Sequence, residues 1–448
     1  MKAPNVVYVH CHDAGRYVQP YGYPVPTPNL QKLAEQGVLF RNAFCMGPTC
    51  SPSRAALLTG QSPHSAGMYG VTNSNLGGFG LDDYSQHIVH TLRSVGYTST
   101  LCGFQHVSND DEEIGYDQVL AKPEGESRDN ARTVAPMADE FLRDAPEEPF
   151  FLSVGTAEPH RIMGGNDPAW FTPDPENSDG RYDRPPAILP DTPQTRREMA
   201  DYKRAAAEYD YSVGTVMKAL EDTGLDQNTL VIATTDHGID FPGMKCTLTD
   251  HGMGVLLICR GPAGFEGGQV LDGLVSHIDL FPTLCEITGA DEPEWLEGMS
   301  LMPMVRGDKT LVREEVHGEI TYHGVYDPQR CVRTERYKYI RRFDELVPPR
   351  SAEGGAWPRT SALERPLPNT GPAISRDILS EYGAADRLPP KEQLFDLVMD
   401  PMERVNVAED PSYERVMANM RTRLDRWMEE TDDPFARGEA PGAGPDVL

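Results

Sequence analysis

Short apolar runs separated by helical segments restrict the fold of this chain more than any other feature. A run of four or five apolar residues bounded by turn residues is typical of a strand buried on both faces of a parallel sheet. Such runs occupy residues 6–9, 150–154, 230–233 and 255–259. Between them, the sequence predicts a helix that begins after Thr27 and ends at Gly37, and another over residues 199–220. The alternation predicts an α/β fold in which helices cover both faces of one large sheet.

The composition changes after about residue 311, which predicts a second, smaller unit. Residues 331–333 and 337–343 have the pattern of a hairpin, and residues 347–390 are so rich in Pro, Gly and Ser that we expect a long loop. Helical spacing then places four apolar residues on one face of a terminal helix: Val416, Met420, Leu424 and Trp427. We therefore predict a large domain over residues 1–315 and a C-terminal α+β subdomain with a small antiparallel sheet over residues 316–448.

The charge of the chain excludes two classes of partner. Among 448 residues, 69 are acidic and 41 are Lys or Arg, which gives a net charge of −28. A surface this acidic repels nucleic acid and anionic membranes, and no apolar run has the length of a membrane span. The chain enters its first apolar run directly after Pro4 with no signal peptide, so we expect a cytoplasmic location. The sequence leaves a homo-oligomer open.

Histidine and aspartate residues follow the ends of several predicted strands. Asp13 follows the run at 6–9, and His106 follows a further predicted strand at residues 98–101. In the same way, His160 follows the run at 150–154 and Asp236 follows the run at 230–233. In open α/β sheets, ligands bind outside the carboxyl ends of the strands, so we expect these side chains to converge on one site.

Four residues at these strand ends are candidate ligands of a divalent cation: His12, Asp13, Asp236 and His237. Carboxylate oxygens favour calcium, whereas imidazole nitrogens shift the preference toward manganese or zinc. We expect one divalent metal, and these residues leave its identity open between calcium, manganese and zinc.

The stretch from Cys50 to Gly60 contains the most specific chemical signal. The eight cysteines are scattered and include no CxxC pair, so most are expected to be small buried residues, not disulfides or zinc ligands. Cys50, however, precedes Pro52, which suits the first turn of a helix, and Arg54 adds a positive charge. A helix N-terminus favours an anion. The alternatives are a buried structural cysteine and a redox thiol of low pKa.

This stretch resembles the sulfatase signature, C-x-P-x-R followed by L-T-G. Further similarity to type I sulfatases of the alkaline phosphatase superfamily extends along the chain, at residues 4–5, 27–30, 40–44, 63–64, 236–238 and 394–406. Within that family, the chain is most similar to the N-sulfoglucosamine sulfohydrolases, at residues 50–60, 67–70, 159–161 and 427–434. The resemblance implies a large mixed, mostly parallel sheet between helices, and a catalytic role for the large domain.

The resemblance also implies a role for each matching residue. Cys50 would be oxidised by a formylglycine-generating enzyme to formylglycine, whose hydrated aldehyde is the nucleophile and a metal ligand, and Arg54 would steady it. His106 would help to eliminate sulfate, His160 would lie near the leaving group, and Lys245 would hold the sulfate. Asp13, Asp236 and His237 would bind the metal. Glu319 would bind a glucosamine unit of the substrate.

Three departures from the family pattern keep alternatives open. His12 stands in place of an aspartate, Phe104 in place of a sulfate-binding lysine, and His237 in place of an asparagine. We expect a metal-dependent sulfatase that hydrolyses a sulfate ester or sulfamate on a sugar such as sulfated glucosamine. The alternatives are a phosphonate monoester or phosphodiester hydrolase of the same superfamily, and an inactive binding protein with unmodified Cys50.

Overall fold

A computed structural model describes residues 3–72, 78–123, 129–147, 149–162, 169–323, 325–343, 373–384 and 389–441. The strands of the large sheet are β1 Asn5–Cys11, β2 Val38–Phe44, β3 Thr98–Gly103, β4 Gln118–Val119, β5 Phe150–Gly155, β6 Thr229–Thr235, β7 Gly254–Val255, β8 Leu257–Arg260 and β9 Gln269–Ser276. Those of the small sheet are β10 Glu315–His323, β11 Val325–Thr334, β12 Tyr337–Arg342 and β13 Glu392–Asp396. The helices are α1 Pro28–Gln36, α2 Cys50–Thr59, α3 Ile88–Arg93, α4 Asp111–Ile114, α5 Ala131–Arg143, α6 Pro193–Thr223, α7 Asp250–Met253, α8 Leu280–Thr288, α9 Met302–Val305, α10 Ile374–Glu381 and α11 Glu414–Glu430.

The large sheet confirms the predicted α/β class. Its strands follow the order β4-β3-β5-β1-β6-β8-β2-β7, and β9 pairs with β2. β1 pairs in parallel with β5 on one side and with β6 on the other. Alternate residues of β1 enter different cores, since Val6 and Tyr8 belong to one apolar cluster and Val7 and Val9 to the other. Both faces of the sheet are therefore covered.

One predicted parallel strand is wrong in its direction. The apolar run at residues 255–259 is split between β7 and β8, and β8 runs antiparallel to β6 and to β2. A continuous apolar run reports burial on both faces, which a central antiparallel strand shares with a parallel one. The sheet is thus mixed, as the resemblance implied.

The predicted helices are present, with local signals at their ends. α1 has Pro28 at its first position and ends at Gly37, and α6 ends at Gly224, whose φ of 73° is left-handed. Proline is preorganised for a first helical turn, and glycine adopts the left-handed conformation without steric cost. α6 and α5 pack over the cluster that contains Val7 and Val9, which places two helices on that face.

The small sheet has the order β10-β11-β12-β13 and is antiparallel throughout. The predicted hairpin and terminal helix are confirmed as β11, β12 and α11, and Met420, Leu424 and Trp427 are buried. The predicted loop at residues 347–390 lies partly outside the described residues, but it contains α10, whose Ser375 amide donates to Glu198. The division at residue 315 stays a prediction. Among the described helices, none combines the length and apolar character that crossing a membrane requires.

Candidate active site

The ends of β1 and β6 bring two predicted carboxylates together. These strands are paired in register as far as Cys11 and Thr235, so Asp13 and Asp236 leave the sheet side by side. The backbone amide of Asp13 donates to Oδ1 of Asp236 over 2.8 Å. Both residues are buried, and Asp13 has a φ of 55°, which is uncommon for a residue other than glycine. The strand pairing therefore holds two buried carboxylates at one point.

The donor atoms around these carboxylates fit a cation. Ligand atoms of His12, Asp13, Cys50 and Asp236 all lie within 4.8 Å of one another. Nε2 of His237 lies 3.3 Å from Oδ1 of Asp13 and 3.5 Å from Sγ of Cys50. The other ring nitrogen of His237 lies 3.0 Å from the carbonyl oxygen of Gly238 and so carries the hydrogen, which leaves the lone pair of Nε2 facing a carboxylate.

Nε2 of His237 and Oδ1 of Asp13 are both hydrogen-bond acceptors, and a cation between them would stabilise their close approach in this buried site. Oδ1 of Asp13 is buried and has no hydrogen-bond partner among the described residues. His12 lies at the same place, with Nδ1 2.9 Å from Oδ2 of Asp236. Burial would raise the pKa of Asp236, but the charge of Arg54, which donates to its Oδ2, lowers it well below its ordinary value. The carboxylate is therefore ionised, as a metal ligand must be.

Cys50 is the first residue of α2, and Pro52 lies in the same first turn. The side chain of Cys50 faces His237 and is 3% exposed. Burial raises the pKa of the Cys50 thiol to about 12. This direction is the opposite of what the redox-thiol alternative requires. All eight cysteines are buried and none forms a disulfide in the described structure, as expected for structural thiols.

Arg54 lies one helical turn after Cys50 and is fixed by several acceptors. Its Nη2 donates to the carbonyl oxygen of Cys11 over 2.8 Å and to Oδ2 of Asp236 over 3.0 Å. Its Nη1 lies 2.6 Å from Nδ1 of His10. The guanidinium is 2% exposed, so its charge acts within the site and not on solvent.

Lys245 and two histidines complete the cluster. Nζ of Lys245 lies 2.9 Å from Oδ2 of Asp13, and Nε2 of His160 lies 3.9 Å from the same oxygen. The His106 ring lies 5.9 Å from the His12 ring, and burial together with the charge of Arg54 lowers the pKa of His106 to about 3. His106 also has a left-handed φ of 84°. Such conformations in residues other than glycine cluster at functional sites.

The comparison with known families decides which chemistry this cluster belongs to. A family model described as Sulfatase matches residues 4–290, and one described as N-sulphoglucosamine sulphohydrolase, C-terminal, matches residues 244–347. The chain belongs to the sulfatase family. The resemblance inferred from the sulfatase signature is thereby confirmed, and the chain is a hydrolase of this family.

Sulfatases of known name and structure align with most of the chain. Human N-sulphoglucosamine sulphohydrolase is 28% identical over 446 residues, which cover 92% of this chain and 87% of the relative. An ulvan-active sulfatase of Formosa agariphila is 27% identical over 462 residues, covering 96% and 75%. Among solved structures, a putative sulfatase of Bacteroides thetaiotaomicron has a TM-score of 0.72 at 22% identity and covers 100% of this chain and 97% of its own. A protein solved in complex with its substrate D-glucosamine-2-N,6-O-disulfate has a TM-score of 0.72 at 16% identity, covering 96% and 99%.

The two departures from the sulfatase pattern at His12 and Phe104 are in direct contact. The Phe104 ring meets the His12 ring edge-on, with centroids 4.2 Å apart, and lies 5.2 Å from the Arg54 guanidinium. Histidine for aspartate removes a negative charge, and phenylalanine for lysine removes a positive one. The formal charge of the pocket is therefore unchanged by the pair of replacements, and an aromatic contact stands in place of two charged groups.

Glu319, which the resemblance assigned to substrate binding, has different contacts in the sulfatase structure. Its carboxylate accepts from the backbone amide of His64 over 2.7 Å and pairs with Nδ1 of the same residue. Arg330 lies 3.4 Å away and also binds Asp433. Glu319 is 3% exposed, so the structure places it in a buried ion-pair network and not in the cluster around Asp13. The sequence had indicated no partner for it.

Proposed function

We propose that this chain is a formylglycine- and cation-dependent sulfatase that hydrolyses a sulfate ester or sulfamate on a sugar such as sulfated glucosamine. The observation that carries the proposal is the position of Cys50, at the N-terminus of α2 and 3.5 Å from His237 beside the two buried aspartates. The human relative named for N-sulphoglucosamine and the structure that binds glucosamine disulfate support the substrate class.

Residues of this chain would hold both groups that the chemistry needs. Asp13, Asp236 and His237, with His12 beside them, would hold one divalent cation, calcium in the first place. The cation would act as a Lewis acid toward sulfate oxygens, and formylglycine at position 50 would supply the nucleophile. Lys245, at the same carboxylate, would bind a nonbridging sulfate oxygen, where negative charge grows in the transition state.

His160 would act on the leaving group. Its Nδ1 lies 2.7 Å from the carbonyl oxygen of Arg161, so this nitrogen carries the hydrogen and donates it. Nε2 is left to face the cluster, 3.9 Å from Oδ2 of Asp13, where a proton that it carries can pass to the departing atom. The side chain of His160 is 30% exposed, so a departing sugar oxygen or nitrogen can reach it from solvent.

His106 would act in the second half of the reaction. Its lowered pKa keeps the ring neutral at neutral pH, so a nitrogen lone pair is available to accept a proton. Nδ1 of His106 is buried without a hydrogen-bond partner among the described residues. We assign to it the proton that leaves position 50 as sulfate is expelled.

The test is sulfate release by protein produced together with a formylglycine-generating enzyme. Glucosamine N-sulfate, glucosamine 6-sulfate and a phenyl phosphonate monoester are compared, with Cys50→Ala as the inactive variant and Cys45→Ala as the matched control. Sulfate release from either sugar supports the proposal. The second candidate is a phosphonate or phosphodiester hydrolase, because the Asp236–His237 pair is similar to the pair found in those enzymes. Faster hydrolysis of the phosphonate ester than of the sulfated sugars favours this candidate.

A further inference from the structure

His10 is a buried residue directly behind the candidate catalytic cluster. It lies near the end of β1 and is 2% exposed. Its Nδ1 lies 2.6 Å from Nη1 of Arg54, and its Nε2 lies 3.2 Å from Oγ of Ser153 on β5. The ring thus joins the arginine of the sulfatase signature to the neighbouring strand of the sheet.

The chemistry of arginine decides the tautomer of this histidine. A guanidinium has only donors and does not lose its proton in proteins, so Nδ1 of His10 must be the acceptor. The neutral ring then carries its hydrogen on Nε2, which donates to Ser153. Burial and the charge of Arg54 lower the pKa of His10 well below its ordinary value, in agreement with a neutral ring.

The fold leaves space for this ring in one orientation. Tyr8 stacks on it with centroids 4.4 Å apart. On the neighbouring strand, Gly155 is the register partner of His10, and a Cβ at Gly155 would lie 2.5 Å from Cε1 of His10. Glycine at this position therefore admits the ring, and the stack with Tyr8 together with the bond to Ser153 fixes its angle.

We propose that His10 is a positioning residue that holds the guanidinium of Arg54 in the orientation in which it acts on residue 50. Nη2 of Arg54 is bound by Cys11 and Asp236, whereas Nη1 is bound by His10. Hydrogen bonds at Nη2 alone would let the guanidinium group pivot around that nitrogen. The additional bond from Nη1 to His10 prevents this movement. The inference rests on the proposed function, since Arg54 acts on residue 50 only if the chain is a sulfatase.

Two variants separate the bond to Arg54 from the bond to Ser153. In His10→Asn, the amide oxygen takes the place of Nδ1 and still accepts from Arg54. In His10→Gln, the longer side chain reaches Ser153 but withdraws the acceptor from Arg54. We expect His10→Gln to lower kcat by about 10- to 100-fold, the range for a residue that orients an active-site group, with a smaller change in KM. His10→Asn should recover most of that loss.

A buried histidine outside the site controls for packing. His87→Gln removes the ring of a fully buried histidine that caps α3, so its loss of thermal stability gives the scale for losing a buried, hydrogen-bonded ring. If His10→Gln retains kcat within twofold of the parent, or if His10→Asn is as slow as His10→Gln, the positioning role is overturned.

An NMR measurement that does not depend on enzyme activity tests this inference separately from the proposed function. In protein with nitrogen-15 histidine, the signal lost in His10→Asn identifies His10, and its two ring shifts report the tautomer. We expect hydrogen on Nε2 and a bare Nδ1 across the pH range in which the protein is folded. Hydrogen on Nδ1, or a cationic ring, overturns the inference even if the protein is an active sulfatase. If the fully converted parent releases no sulfate, the proposed function fails, and with it the role of His10, although the tautomer stands.

Discussion

Nζ of Lys245 lies 2.9 Å from Oδ2 of Asp13, the carboxylate whose other oxygen faces His237. Burial would lower the pKa of Lys245, but the charge of Asp13 raises it well above its ordinary value. The ammonium is therefore kept charged although Lys245 is buried. Asp13 contacts both His237, on the side of the proposed cation, and Lys245, on the side of the proposed sulfate position.

Replacing Lys245 should slow turnover. Because Phe104 stands where the family has a second lysine, we expect Lys245 to supply a larger share of the positive charge that binds sulfate. We expect Lys245→Ala to lower kcat by about 100- to 1000-fold, since the charge it meets grows in the transition state. Steady-state kinetics on a sulfate ester measures this, with the exposed Lys218→Ala as control. Near-normal kcat in Lys245→Ala would contradict the assignment.

Removing Asp13 should abolish cation binding. The carboxylate supplies a hard anionic ligand and pairs with Lys245, so Asp13→Ala leaves that ammonium buried beside the cation position. Titration calorimetry with Ca²⁺ and with Mn²⁺ on the parent and the variant measures the effect. The exposed Asp272→Ala serves as control and should bind as the parent does. Equal affinity in Asp13→Ala and the parent would exclude this cluster as the metal site.

His160 and His106 should differ across a series of leaving groups. His160→Ala should slow sugar substrates most and spare a nitrophenyl sulfate, which leaves without a proton. His106→Ala should slow all substrates alike and accumulate a sulfated residue 50, detectable by mass spectrometry. Two variants with the same leaving-group dependence and no adduct would mean that both histidines only bind sulfate oxygens.

Strand ends and the sulfatase signature were predictable because both are local patterns. The apolar runs located β1, β5 and β6, and the polar residues that follow them meet because parallel strands end at one edge of the sheet. The contacts of Glu319 were not predictable, since its partner His64 lies 255 residues away and on no periodic pattern. His10 was equally hidden, because a buried histidine on a strand is explained by packing until its partner Arg54 is known.

The pair of Glu319 and His64 should make stability depend on pH. Burial alone would lower the pKa of His64, but the charge of Glu319 and their hydrogen bond raise it. A pKa raised in the folded state stabilises the protein fully below the ordinary histidine value of about 6.5 and ceases to do so as pH rises through the raised value.

Glu319→Gln tests this pair by the free energy of unfolding in urea. We expect a loss of about 3 kcal/mol near pH 6, because one partner of a buried ion pair is removed. The loss should become smaller as pH rises, because His64 becomes neutral and only the ion pair of Glu319 with Arg330 remains to be lost. We expect KM for sulfated sugars to stay near that of the parent. A loss that grows with pH would contradict the ion pair, and a large rise in KM would restore the substrate-binding role of Glu319.

The proposed function requires residue 50 to act as formylglycine in sulfate hydrolysis, and peptide mass spectrometry combined with a sulfate-release assay tests this requirement directly. The tryptic peptide of residues 42–54 contains both Cys45 and Cys50, so fragment masses show the fraction of Cys50 converted while Cys45 serves as an internal control. Preparations with different converted fractions are assayed for sulfate release from glucosamine N-sulfate and 6-sulfate. We predict that the rate of sulfate release is proportional to the converted fraction of Cys50 and that Cys50→Ala releases no sulfate. Full conversion without sulfate release, or equal release from unconverted protein, would contradict it.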